Sequence, residues 1–87
     1  MTSTTEQIRA CLAHLSPLIL EIQDDSAQHR HHPGAREGGG HYRVRIVAEA
    51  FRHRSRLEAH RMVHTALGSL MSKEIHALQL DVQIPRV

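Results

Sequence analysis

Three segments of this chain alternate apolar and polar residues at period two, and that pattern leaves few folds open. Leu18 to Gln23 puts Leu18, Leu20 and Ile22 on one side and Glu21 and Gln23 on the other. Tyr42 to Glu49 turns Tyr42, Val44, Ile46 and Ala48 inward and Arg43, Arg45 and Glu49 outward. Ile75 to Ile84 groups Leu78, Leu80, Val82 and Ile84. Strict alternation marks half-buried strands, so the chain needs something to cover one face of a sheet. Two segments of helical period are available for that. The order helix, strand, strand, helix, strand predicts one α/β domain over residues 1–87, a sheet with helices packed on it.

The first helix spans residues 4–15, with Ile8, Cys11, Leu12 and Leu15 on one face. Thr4 with Gln7, or Ser3 with Glu6, has capping-box spacing, and Pro17 stops the helix. The second opens at Ser55, with Glu58 completing a capping box, and runs to about Met71. Its expected apolar stripe is Leu57, Val63, Leu67, Leu70 and Met71, with Met62 and Ala66 beside it. Gly68 lies inside and weakens the helix there. A chain of 87 residues, 40% apolar and 23% charged, suits a single globular core rather than disorder.

Between the first two strands, Asp24 to Gly40 shows no apolar period and contains Pro33, Gly34, Gly38, Gly39 and Gly40. It reads as a long flexible loop joining an antiparallel pair. This stretch and its edge carry His29, His31, His32 and His41, four of the nine histidines. Neutral imidazole is the commonest protein ligand for metals. Cys11 is the only cysteine, so a metal site here would be His-rich or completed by a partner. A lone cysteine also forbids an internal disulfide, which fits a reducing, cytoplasmic setting. His76 falls in phase with the apolar face of the last strand, at its first turn. It is either a core-edge histidine satisfied by one hydrogen bond or a ligand meeting a loop histidine at the sheet rim. His29-x-His31-His32 is either a metal-binding tract or a solvated loop. His41 is expected outside the sheet and has the weaker claim.

The formal charge is +2, and every basic residue except Lys73 is arginine. Arg54, Arg56 and Arg61 crowd the start of the second helix, where arginines and helix amides together suit phosphate. The alternative is a solvated basic face. The two aromatic side chains, Tyr42 and Phe51, both fit the core, leaving little for base stacking. No HExxH, CxxC, phosphate-binding glycine loop or nucleophile elbow occurs, so an enzyme is not expected. No apolar run approaches the roughly 18 residues of a membrane span, and the first residues lack signal-peptide character.

Several motifs together resemble the BolA family over nearly the whole length. They are Glu21-x-x-Asp24-Asp25-Ser26, His29 with Pro33-Gly34, His41-Tyr42-Arg43-Val44, Phe51, His60-Arg61 and Ile75-His76-Ala77-Leu78. The resemblance implies a compact αββααβ domain with a three-stranded mixed sheet, similar to the class II KH fold. It implies a monomer that pairs with a monothiol glutaredoxin in iron–sulfur cluster assembly or trafficking. The pair would share a two-iron two-sulfur cluster, held by a glutaredoxin cysteine, a glutathione thiol and two ligands from this chain. By position those ligands are His76 and His29, with His32 close enough to compete, and the isolated protein would hold no cofactor. A DNA-binding regulatory role, also attributed to the family, would fall on Arg54, Arg56 and Arg61. Two positions depart from the family pattern: Ala59-His60-Arg61 replaces Arg-His-Arg, and Phe51-Arg52-His53 replaces a Phe-x-Gly turn.

Overall fold

A computed structural model of the chain describes residues 3–26 and 40–86. Helix α1 spans Thr4–Leu12 and is followed by a 3-10 turn, Ala13–Leu15. Ser3 caps it: the Ser3 Oγ accepts the Glu6 N–H at 3.1 Å, which decides between the two caps the spacing allowed. Ile8 and Leu12 are fully buried and Cys11 half-buried, as the helical period requires.

Strand β1 (Ile19–Asp24) pairs antiparallel with β2 (Gly40–Val47), in a register from Ile19 opposite Val47 to Asp24 opposite Tyr42. Strand β3 (Ile75–Gln83) lies parallel on the other side of β2, giving a mixed sheet with order β1-β2-β3. A parallel neighbour needs a crossover, and α2 (Arg56–Leu67) with the short α3 (Leu70–Lys73) supplies it. Tyr42, Val44, Ile46 and Ala48 are buried and form the core with Ile8, Leu12, Phe51, Ala59, Val63, Leu67 and Ile75. The helices cover that face alone. The other carries Glu21, Gln23, Arg43, Arg45, Gln79 and Asp81.

Four details differ from the sequence reading. Leu57 is 60% exposed. It precedes Val63 by six residues, about 240° around a helix at 3.6 residues per turn, and the buried row is Ala59, Val63 and Leu67. The second helix breaks at Gly68, whose φ of 56° and ψ of −129° favour glycine, so one expected helix becomes α2 and α3. This break accords with the αββααβ order that the resemblance implied. Leu18, 70% exposed, precedes β1 and donates its N–H to the Val47 carbonyl, beyond the cover of the helices. Ile84, 46% exposed, likewise lies past the end of β3.

The turn into α2 holds a strained residue. Arg54 N–H donates to the Phe51 carbonyl at 3.1 Å, with Arg52 at φ −64°, ψ 136° and His53 at φ 65°. This is a type II turn, whose third position favours glycine. It is also where the family's Phe-x-Gly pattern places one. His53→Gly is therefore expected to raise stability by about 0.5–1 kcal/mol, the left-handed cost less the extra unfolded-state freedom of glycine. Urea denaturation checks it, and a lower midpoint would show that the imidazole contributes more than the strain costs.

Candidate functional site at the loop end of the sheet

Where the chain leaves β1 and returns at Gly40, backbone and side chains interlock. The Asp25 N–H donates to the His41 carbonyl at 2.7 Å, and the His41 N–H donates to Ser26 Oγ at 3.1 Å. The Ser26 N–H in turn donates to Asp24 Oδ1 at 2.8 Å. Asp25 is buried, and its Oδ2 meets the Arg43 Nε at 2.7 Å, so the carboxylate is compensated rather than isolated. Gly40 is sealed in: a Cβ on it would lie 2.5 Å from Ser26 Oγ and 2.6 Å from Tyr42 Cε2. Its N–H donates to the Glu74 carbonyl at 2.9 Å, tying the start of β2 to the start of β3.

At that junction the parallel ladder slips by one residue. Gly40 pairs with Ile75, but His41 pairs with Ala77, leaving His76 as the extra residue of a bulge. A bulge re-aims a side chain and resets the alternation. Ile75 points into the core at 5% exposure and Leu78 is again half-buried, while His76 is exposed. The expectation that His76 lies on the apolar face is thus corrected: parity counted back from Leu78 fails across the bulge. His41 is corrected too. It belongs to β2, and its ring centroid lies 5.2 Å from that of His76 with the planes tilted by 49°. Its alternation with Arg43 and Arg45, which point away from the core, was the signal for this placement.

The other candidates separate. His29 and His32, together with the loop expected to be flexible, fall outside the described residues apart from its ends at Asp24–Ser26 and Gly40. No group of three or more His, Cys, Asp or Glu side chains suited to a metal ion occurs among the described residues. Arg54, Arg56 and Arg61 are all exposed. Arg54 and Arg56 line a groove with Ser55, Ile84 and Arg86, whereas Arg61 is not part of it. Arg54 also lies 3.8 Å from Glu58, the capping-box carboxylate of α2. The Ser55 N–H donating to that carboxylate at 3.0 Å holds Glu58 below the usual carboxylate range. Tyr42 and Phe51 are 7% and 3% exposed, so neither offers a platform for a base. Among the described residues, no helix is long and apolar enough to cross a membrane.

Comparison with known proteins agrees with this architecture. The chain is 37% identical to human BolA-like protein 1 over 71 residues, covering 82% of this chain and 50% of that protein. It is 33% identical over 76 residues to the SufE-like protein 1 of Arabidopsis thaliana, covering 82% of this chain and 20% of that protein. The chain spans about half the length of the curated BolA-like relatives it matches. Among solved structures, the BolA domain of SufE1 from Arabidopsis thaliana superposes with a TM-score of 0.82 at 32% identity, covering 98% of this chain and 95% of that one. The family model described as BolA-like protein matches residues 12–86, and the chain belongs to that family.

Proposed function

We propose that the chain is an iron–sulfur accessory protein that completes a two-iron two-sulfur cluster together with a monothiol glutaredoxin and glutathione. The observation that carries this reading is the bulge at His76. Alternation carried back from Val82, Leu80 and Leu78 would turn this imidazole toward the core, yet the extra residue presents it at the rim where the histidine-bearing loop leaves the sheet. Among the described residues the His76 ring makes no hydrogen bond, so both ring nitrogens remain open to a partner. Backbone held on both sides, by buried Ile75 and the Gly40–Glu74 bond before it and by the Ala77–His41 pairing after it, fixes where the imidazole emerges. The second ligand in this reading is His29, with His32 as its substitute.

The donor set fits such a cluster. A thiolate pair from the partner side and imidazoles from this chain make a mixed ligand shell, whose chemistry is electron and cluster transfer at a potential above that of all-thiolate clusters. This chain's contribution is to present neutral imidazoles at fixed positions, since ligation requires the deprotonated nitrogen. The BolA domain that forms part of a SufE-like relative supports the iron–sulfur theme. The nucleic-acid reading has less behind it: two of its three arginines share a groove, and both aromatic rings are buried.

The test is co-expression with a monothiol glutaredoxin, followed by visible absorption and circular dichroism of the purified complex. His76→Ala is expected to abolish or strongly alter the heterocomplex spectrum while leaving the fold intact, because the exposed ring adds little to the core. His29→Ala is expected to change it partially, with His31 or His32 taking its place. A wild-type spectrum from the His76→Ala complex would overturn the reading.

A further inference from the structure

We infer that His41 and His76 form a two-imidazole site for a zinc ion in the free chain, with no glutaredoxin present. A zinc–nitrogen bond of about 2.0–2.1 Å plus the distance from a ring nitrogen to the ring centre puts each centroid about 3.2 Å from the metal. Two such arms opened to the tetrahedral angle hold their centroids about 5.2 Å apart; a square-planar cis pair would hold them about 4.5 Å apart. The observed separation is 5.2 Å. The last side-chain torsion of histidine is broad, so each ring can turn a nitrogen toward a metal between them without moving the backbone.

The two arms are held by different means. His41 is clamped through its backbone, donating its N–H to Ser26 Oγ and accepting from the Asp25 N–H. His76 is set by the bulge between buried Ile75 and the paired Ala77. A bis-imidazole pair on adjacent strands of one sheet is preorganised, which lowers the cost of assembling a site. The remaining zinc positions go to water, so binding is modest and reversible compared with a closed structural site. The pair exists independently of the cluster reading, although it uses His76. Where both hold, zinc and cluster compete for that imidazole.

The experiment titrates the isolated full chain with zinc chloride, by calorimetry and by NMR of the histidine ring protons. Four proteins are compared: wild type, His41→Ala, His76→Ala and the triple variant His29→Ala/His31→Ala/His32→Ala, which removes the loop histidines. Circular dichroism confirms folding, since neither His41 nor His76 belongs to the core. The expected result is zinc-dependent shifts of the His41 and His76 rings in wild type and triple variant alike, and a loss of affinity of about tenfold or more in each single variant. Wild-type affinity in either single variant, or binding that vanishes only in the triple variant, overturns the proposal. Because glutaredoxin is absent, failure here leaves the cluster reading untouched. Conversely, a cluster spectrum indifferent to His76→Ala leaves this site to stand on its own titration.

Discussion

Phe51→Ala is expected to cost about 3–5 kcal/mol, close to the whole stability of a domain this small. Phe51 is 3% exposed and packs in the core with Ile46, Ala59 and Val63. It also ends the 3-10 turn Glu49–Phe51, from which the type II turn leads into α2. Emptying this position removes apolar contact on the sheet side and the helix side together. No neighbouring element is free to collapse into the gap, because the turn before α2 is pinned by Arg52. Its guanidinium pairs with Glu49 and donates to the Pro85 carbonyl at 3.1 Å. Phe51→Leu keeps most of the volume and should lose less than about 1.5 kcal/mol. Urea denaturation of both variants separates the cases, and equal losses would show that volume is not the cause.

Gly40→Ala should be the most damaging single-methyl change among the described glycines, at about 2–3 kcal/mol. The added Cβ would meet Ser26 Oγ at 2.5 Å and Tyr42 side-chain atoms at 2.6 and 2.7 Å. Ser26 can move only by giving up the His41 N–H. Tyr42 is buried and cannot swing into solvent without opening the core. Adding Ser26→Ala to Gly40→Ala should therefore restore only part of the loss. Amide shifts at Asp25 and His41 would report the same disturbance, since their mutual hydrogen bond lies beside the clash. A cost below about 0.5 kcal/mol would mean that the Tyr42 ring has room to turn aside.

The strands were legible because alternation survives wherever one face is covered and the ladder is regular. Tyr42, Val44 and Ile46 illustrate this, buried in alternation with Arg43 and Arg45. At β3 the same rule misplaced His76, since a bulge adds a residue without any local sequence mark. Along α2 the large Leu57 drew the stripe out of phase, whereas small Ala59 holds the buried position. Size is a poor guide where a helix approaches a sheet closely. The loop histidines were conspicuous by composition, but composition carries no coordinates. His41 is readable from its parity with Arg43 and Arg45, one residue before the strand expected to begin at Tyr42.

The bulge also separates what the sheet needs from what the rim offers. Without His76, the ladder would continue unbroken: Ile75 inward against Gly40, Ala77 outward beside His41, Leu78 inward beside Tyr42. The residue that reaches solvent is the one residue the pairing can do without. Selection for a well-made sheet alone would favour its deletion, and the shortened chain would keep the pairing while losing this imidazole from the rim. A surplus residue inside an otherwise regular strand is thus a mark of use, legible from backbone pairing alone before any ligand is known.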